Sequence, residues 1–174
     1  MYTVIGTVGS RALRVLWMLE ELGQSYEHVK AAPRSEGVVA FNPAGKVPVL
    51  IVDGTPVTDS TAIIQFLADK HGALTHPAGT LERARQDSLT QFLLAEFDAA
   101  LWMAARHSFV LPEELRLSGI KNTLRWEFER SQHTLITRMG EGDFVMGDAM
   151  TVPDLILTHR SEERRVGKEC RSRW

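Results

Sequence analysis

The order of secondary-structure elements predicted for residues 1–72 constrains the fold of this chain more than any other feature. Residues 2–8 are few and rich in β-branched side chains, which predicts a strand. An amphipathic helix follows, with Ser10 as its N-cap and Gly23 as its stop. Its apolar residues recur at helical spacing, and they are Leu13, Leu16, Trp17, Leu19 and Leu22.

Five further elements are predicted before residue 72. They are a strand at 26–31, a weak short helix at 35–41, strands at 47–52 and 55–58, and a helix at 61–71. Asp53-Gly54 is a hairpin turn signal, and Ser60 is the expected cap of the last helix. The apolar side of that helix is predicted to hold Ile63, Ile64, Phe66 and Leu67. The order β-α-β-α-β-β-α begins with a parallel unit and ends in an antiparallel hairpin, which is the thioredoxin-like layout.

The composition changes after this segment. Residues 73–79 read as a linker, with Pro77 as a breaker. From residue 80 to residue 159 the pattern predicts only helices, two long ones at 81–106 and 113–139 and another after Thr151. We therefore expect an α/β domain at 1–72, joined to an all-α domain at 80–159.

Residues 160–174 differ from the rest of the chain. They contain six Arg or Lys and three Glu, a net charge of +3, whereas residues 1–159 carry −5. One interpretation is a basic disordered terminus. The other is a non-native segment, because it resembles over its whole length the translated read-through of a DNA-sequencing adapter. On that hypothesis the natural chain was cut near His159, and 160–174 is excluded from fold reasoning.

Composition and charge argue against several classes of function. The chain is 44% hydrophobic and 24% charged, which is ordinary for a soluble globular protein. Its net charge of −2 provides no field that attracts nucleic acid. The single Cys fits a reducing cytosol, and the Cys and six His lack zinc-site spacing. Neither a signal peptide nor a membrane span is evident, so we expect a cytoplasmic protein that binds no metal and no membrane.

Pro48 stands inside an apolar strand-like run, where it removes a hydrogen-bond donor from the sheet. A cis Val47–Pro48 bond would explain it by forming a tight turn at the start of the strand. The Val47 backbone would then be left to pair with an extended, peptide-like ligand. A trans proline at the first residue of the strand is an equally weighted alternative.

Asp59 and Ser60 directly precede a helix. A helix N-terminus favours a carboxylate ligand, to which the Ser60 hydroxyl can donate, and Asp59 can accept from a ligand ammonium. Together they would recognise the end of an α-amino acid. Plain helix capping is the commoner meaning of such a pair.

Two further polar segments have both a chemical and a structural interpretation. At the first strand-to-helix junction, residues 7–11, a hydroxyl can donate to a thiolate that the helix N-terminus also stabilises. For Ser10 alone, simple capping is the commoner role. Thr151 and Asp154 have the spacing of a capping box, so we interpret Asp154 as structural.

These segments together resemble the cytosolic glutathione S-transferases of bacterial type. The resemblance covers residues 1–159. Its most specific parts are VLWMLEELG (15–23), NPAGKVPVL (42–50), DSTAI (59–63) and GDAMTVPD (147–154). It implies a thioredoxin-like N-terminal domain, a helical C-terminal domain that is incomplete here, and a homodimer.

The resemblance also implies a site for glutathione as co-substrate. Glutathione would lie along the strand that starts at Pro48, with its cysteinyl backbone paired with Val47. Asp59 and Ser60 would hold its γ-glutamyl end, and Lys46 would contact one of its carboxylates. Many family members have Glu or Gln where this chain has the shorter Asp59.

The thiol would be activated from the 7–11 junction. Ser10 is the first candidate and Thr7 the second, with Arg11 stabilising the thiolate. The junction lacks the Tyr or Cys of some classes, and Gly9 falls where others have the catalytic Ser.

The activity that the resemblance implies is conjugation of the glutathione thiolate to a small apolar electrophile. A glutathione-dependent isomerase or peroxidase on the same scaffold is one alternative. A non-catalytic member that binds glutathione or a protein is another. A disulfide oxidoreductase is disfavoured, because the only Cys is Cys170 and no C-x-x-C is present.

Overall fold

A computed structural model of the chain describes the backbone of residues 1–166 and the side chains of residues 1–159. By its internal contacts the chain divides into two units, Met1–Arg83 and Ala84–Trp174, which are described one at a time. The bounds 1–72, 73–79 and 80–159 stay predictions, as does the non-native origin of 160–174. Of that last segment, 160–166 continues a helix and 167–174 lies outside the described residues.

The first unit is built on a four-stranded sheet in the order β2-β1-β3-β4. The strands are β1 (Tyr2–Ile5), β2 (Tyr26–Val29), β3 (Val49–Val52) and β4 (Thr55–Thr58). β1 pairs with β2 in parallel, and β3 pairs antiparallel with both β1 and β4. The predicted thioredoxin-like topology is confirmed. β1 is shorter than predicted, because the chain turns at Gly6, whose φ is +149°.

Three helices accompany this sheet: α1 (Ala12–Glu21), α2 (Glu36–Val39) and α3 (Ser60–His71). The predicted stop of α1 is confirmed, since Gly23 has the left-handed φ of +61° that glycine adopts most readily. The predicted cap was one residue off: Arg11 occupies the N-cap, and Ser10 lies just before it. The expected cap of α3 was also wrong, because Asp59 is the N-cap and Ser60 the first helical residue.

The buried faces of α1 and α3 differ in part from the predicted ones. In α1 the buried side chains include Arg14, Val15 and Met18, whereas Leu13, Trp17 and Leu22 are only half-buried. Apolar residues surround α1 on most sides, so spacing alone does not select the face that packs against the sheet and α3. In α3 the predicted core residue Phe66 is 37% exposed. The fully buried core of the unit includes Val4, Val15, Met18, Leu19, Leu50, Ile63, Ile64 and Leu67.

The described part of the second unit is helical. Its helices are α4 (Leu81–Phe92, which begins in the first unit), α5 (Ala99–Ala105), α6 (Ile120–Arg138) and α7 (Val152–Val166). The long helix predicted at 81–106 is interrupted by a π-helical segment, Leu93–Asp98, and α6 begins later than predicted. No helix among the described residues combines the length and apolarity needed to cross a membrane.

The capping box before α7 is confirmed as structural. The carboxylate of Asp154, only 7% exposed, accepts from the N–H of Val145 at 2.7 Å. It also accepts from the N–H and the hydroxyl of Thr151, at 2.8 and 3.0 Å. A buried carboxylate with three donors stabilises both the start of α7 and the preceding loop.

Candidate functional site

Strand register brings three polar segments to one end of the sheet. Ile5, the last residue of β1, lies opposite Val49, the first residue of β3. Val49 in turn lies opposite Thr58, the last residue of β4. The segments that leave β1, enter β3 and leave β4 therefore meet. They are residues 7–11, residues 46–48 and residues 59–60, which contain every site residue predicted from the sequence.

The segment that enters β3 contains the anomalous proline. The Val47–Pro48 bond is cis, as one of the two sequence interpretations expected. The ladder of β3 begins at Val49, which leaves half-buried Val47 outside it. Asn42 shapes the loop before it, because its Nδ2 donates to the Lys46 carbonyl at 2.9 Å. Sequence reasoning missed this role, although Asn followed by Pro is a recognisable turn signal.

Gly6 allows the chain at the start of α1 and the segment that enters β3 to approach it closely. A Cβ at this position would lie 2.8 Å from the Cβ of Ala12 and 3.3 Å from the Cβ of Val47. The first distance is too short for two carbon atoms, so only glycine fits here. The Gly6 carbonyl is also within hydrogen-bond distance, 2.9 Å, of His28 Nε2. No periodic signal in the sequence indicates either role of Gly6.

The N-terminus of α3 has a distinct arrangement of donors and acceptors. Oδ1 of Asp59 accepts from the N–H groups of Thr61 and Ala62, at 2.9 and 3.1 Å. The capping interpretation of Asp59 is therefore confirmed. Both bonds go to one oxygen, so Oδ2 of this exposed carboxylate is not used by the cap. Of the first three N–H groups of the helix, only that of Ser60 is not taken by Asp59.

Ser60 is 3% exposed and contacts a charged residue that sequence reasoning missed. Nη1 of Arg14, on α1, donates to the Ser60 hydroxyl oxygen at 3.3 Å. Arg14 is fully buried. The available signal was an arginine inside an otherwise apolar turn of α1, a position that charged residues occupy rarely unless they have partners.

The 7–11 junction offers two hydroxyl groups in different situations. The Ser10 hydroxyl donates to the Thr7 carbonyl at 2.7 Å and accepts from the Ala12 N–H at 3.2 Å. The Thr7 hydroxyl makes no hydrogen bond to the described residues. The space beside Gly9 is open, because a Cβ added there would meet no described atom within 4 Å. The Ser10 hydroxyl thus stabilises the turn, whereas the Thr7 hydroxyl is available to donate a hydrogen bond to a ligand.

Comparison with known proteins decides the family. Residues 9–70 match the family described as the glutathione S-transferase N-terminal domain. The chain is 30% identical, over 83% of its length, to glutathione transferase GST 23 of Zea mays. Residues 9–70 are therefore a domain of the glutathione S-transferase family. Over 47% of its length, the chain is also 37% identical to a maleylacetoacetate isomerase of Rhizobium meliloti.

A solved structure of the glutathione S-transferase family has the same fold. It is the glutathione transferase URE2P6 of Phanerochaete chrysosporium, determined in complex with oxidized glutathione. The TM-score is 0.80 at 25% identity, over 93% of this chain and 78% of that one. The chain spans 64% of the length of the maize relative and 41% of the length of the isomerase.

The resolved pKa shifts lie outside the candidate site. A hydrogen bond from Tyr26 to Glu20 raises the pKa of the Tyr26 phenol. The N-terminal ammonium, 2.7 Å from Asp53, lowers the pKa of that exposed carboxyl. Among the residues whose side chains are described, no group of three or more His, Cys, Asp or Glu is placed to hold a metal ion.

Proposed function

We propose that this member of the glutathione S-transferase family binds glutathione at the shared end of its sheet and conjugates the thiolate to small hydrophobic electrophiles. The meeting of Val47, the α3 N-terminus and the 7–11 junction supports this proposal most directly. A backbone outside the ladder suits an extended peptide, and a helix N-terminus suits a carboxylate. Glutathione is a tripeptide with both features.

The γ-glutamyl end of glutathione fits the α3 N-terminus. Its carboxylate would accept from the Ser60 N–H and hydroxyl, while its ammonium would donate to Oδ2 of Asp59. Val47 would pair with the cysteinyl backbone, and the exposed Lys46 would contact the other carboxylate. The helix dipole adds to the attraction for the negative group.

Thr7, in this proposal, activates the thiol. Its hydroxyl has a proton that no described residue accepts, whereas the Ser10 proton is engaged by the Thr7 carbonyl. A hydroxyl that donates to the sulfur stabilises the thiolate and lowers the pKa of the thiol. The thiolate then attacks the electrophilic carbon, a C–S bond forms, the leaving group departs with the electron pair, and the thiol proton passes to solvent.

The test is conjugation of glutathione to an activated aryl chloride, followed by the absorbance of the thioether. Thr7→Val keeps the shape of the side chain and removes the hydroxyl, so we expect kcat/KM to fall about 10- to 100-fold. Ser10→Ala is the matched control. It should lower the melting temperature, and it should change kcat/KM less than Thr7→Val does. Unchanged kcat/KM in Thr7→Val would contradict the role of Thr7. Wild-type protein that binds glutathione without conjugation would favour a non-catalytic member.

A glutathione-dependent isomerase is a second candidate function. The 37% identity to the Rhizobium meliloti maleylacetoacetate isomerase favours it. Such a reaction would add the thiolate to a conjugated double bond and then release it, so glutathione would not be consumed. Product analysis with a cis-olefinic diacid, together with thiol titration, separates the two candidates, since only conjugation consumes thiol.

The homodimer is likewise a proposal, which light scattering of the full chain tests.

A further inference from the structure

The buried arginine of α1 is the feature of the first unit that the proposed function leaves unexplained. Removing a guanidinium from water is expensive, so fully buried Arg14 must keep its donors engaged. One donor, Nη1, is engaged by the Ser60 hydroxyl at 3.3 Å, and the group also interacts elsewhere in the chain. The contact joins α1 to the first residue of α3.

The direction of this hydrogen bond has a chemical consequence. A guanidinium has only donors, so the Ser60 oxygen must accept from Arg14. A serine hydroxyl has a single proton, and that proton is then directed away from Arg14. The Ser60 hydroxyl is thereby fixed as a donor at the N-terminus of α3, beside the N–H that Asp59 does not take.

We infer that Arg14 is a positioning residue for recognition of an α-carboxylate. It acts through Ser60, whose hydroxyl it holds as a donor toward the carboxylate of the γ-glutamyl end. This inference rests on the proposed function. It predicts that removal of Arg14 raises the Kd of ligands with that carboxylate far more than the Kd of ligands without it.

The test is calorimetric titration of the full chain with two ligands. One is glutathione, and the other is 4-aminobutyryl-cysteinylglycine, which lacks only the α-carboxylate. In Arg14→Met we expect the Kd for glutathione to rise roughly 10-fold, and the Kd for the analogue to change less than about 2-fold. Arg85→Met, the same substitution at an exposed arginine of α4, should change neither Kd.

A second variant keeps the test decisive where Arg14→Met folds poorly. Ser60→Ala retains the arginine and removes its acceptor, so it should produce the same selective loss for glutathione. Arg14→Lys, which keeps a buried positive charge with fewer donors, should lie between Arg14→Met and the wild type.

Three results would overturn the inference. In the first, Arg14→Met weakens both ligands equally, which would make Arg14 merely a structural residue. In the second, Ser60→Ala binds glutathione and the analogue as the wild type does. In the third, the wild type binds neither ligand, and then the proposed function fails together with the inference.

Discussion

Asp59 has two roles that a pair of substitutions can separate. Its Oδ1 caps α3 through Thr61 and Ala62, and its Oδ2 is the proposed acceptor for the γ-glutamyl ammonium. Asn at the same position keeps a carbonyl oxygen for the cap and loses the charge. Asn is as good an N-cap as Asp, and it tolerates the φ of +71° observed here. Asp59→Asn should therefore destabilise the chain by only about 0.5 kcal/mol, through the helix dipole.

Asp59→Ala should lose both roles. The missing cap costs about 1 kcal/mol, and alanine at this positive φ costs about 1 kcal/mol more. With the dipole contribution the free energy of unfolding should fall by about 2–3 kcal/mol. For a chain of this length that corresponds to a melting temperature lower by about 5–10 °C, against about 1–2 °C for Asp59→Asn.

Binding should rank the variants differently from stability. Loss of a charge-assisted hydrogen bond at an exposed position is worth about 1.5 kcal/mol, so Asp59→Asn should raise the Kd for glutathione about 10-fold. Glutaryl-cysteinylglycine lacks the ammonium, so the wild type and Asp59→Asn should bind it about equally. The assays are a thermal melt and calorimetric titration. Two separate roles for Asp59 would be contradicted by an Asp59→Asn protein that melts as low as Asp59→Ala, or that binds glutathione as tightly as the wild type.

Three further predictions test the scaffold. Gly6→Ala would place a Cβ 2.8 Å from that of Ala12 and should cost about 2–4 kcal/mol in denaturant unfolding; a wild-type midpoint would contradict this packing. Asp154→Ala leaves three donors without their buried acceptor and should cost about 3 kcal/mol; a loss under about 1 kcal/mol would contradict it. Folding lowers the pKa of Asp53. The contribution of this carboxylate to the free energy of unfolding is therefore present above about pH 4 and lost as the pH falls through the folded-state pKa. The wild type should therefore be more stable than Asp53→Asn at pH 7 but not in strong acid. A stability difference between the two proteins that does not change with pH would contradict the lowered pKa.

Local chemical signals account for the parts of the fold that the sequence predicted well. The hairpin at Asp53-Gly54, the left-handed Gly23 and the Asp154 capping box all depend on the conformations that one or two residues favour. The proline inside an apolar run allowed a cis bond as one of two equally weighted interpretations, and the cis one is observed. Because the element order then allows few topologies, these signals were enough for the sheet.

Tertiary contacts decide what the sequence did not predict. The buried face of α1 depends on its packing between the sheet and α3, and apolar residues on several sides leave that choice open. The interruption of the predicted 81–106 helix by the π-helical segment Leu93–Asp98 has no signal in spacing. Arg14 was not singled out from the sequence, because its acceptor lies 46 residues away in the chain.

The first turn of α3 must satisfy both the helix and its proposed ligand with few atoms. Asp59 uses one carboxylate oxygen for the helix and leaves the other available, while the Ser60 oxygen accepts a hydrogen bond from Arg14 and the Ser60 hydroxyl remains able to donate. One acceptor and one oriented donor are thus left about one residue apart. An ammonium and a carboxylate on the same carbon match that pair, whereas a ligand with only one of them leaves a polar group without its partner. In the proposed complex, selectivity for an α-amino-acid end follows from how the cap divides its atoms, and it requires Arg14 and Asp59 together.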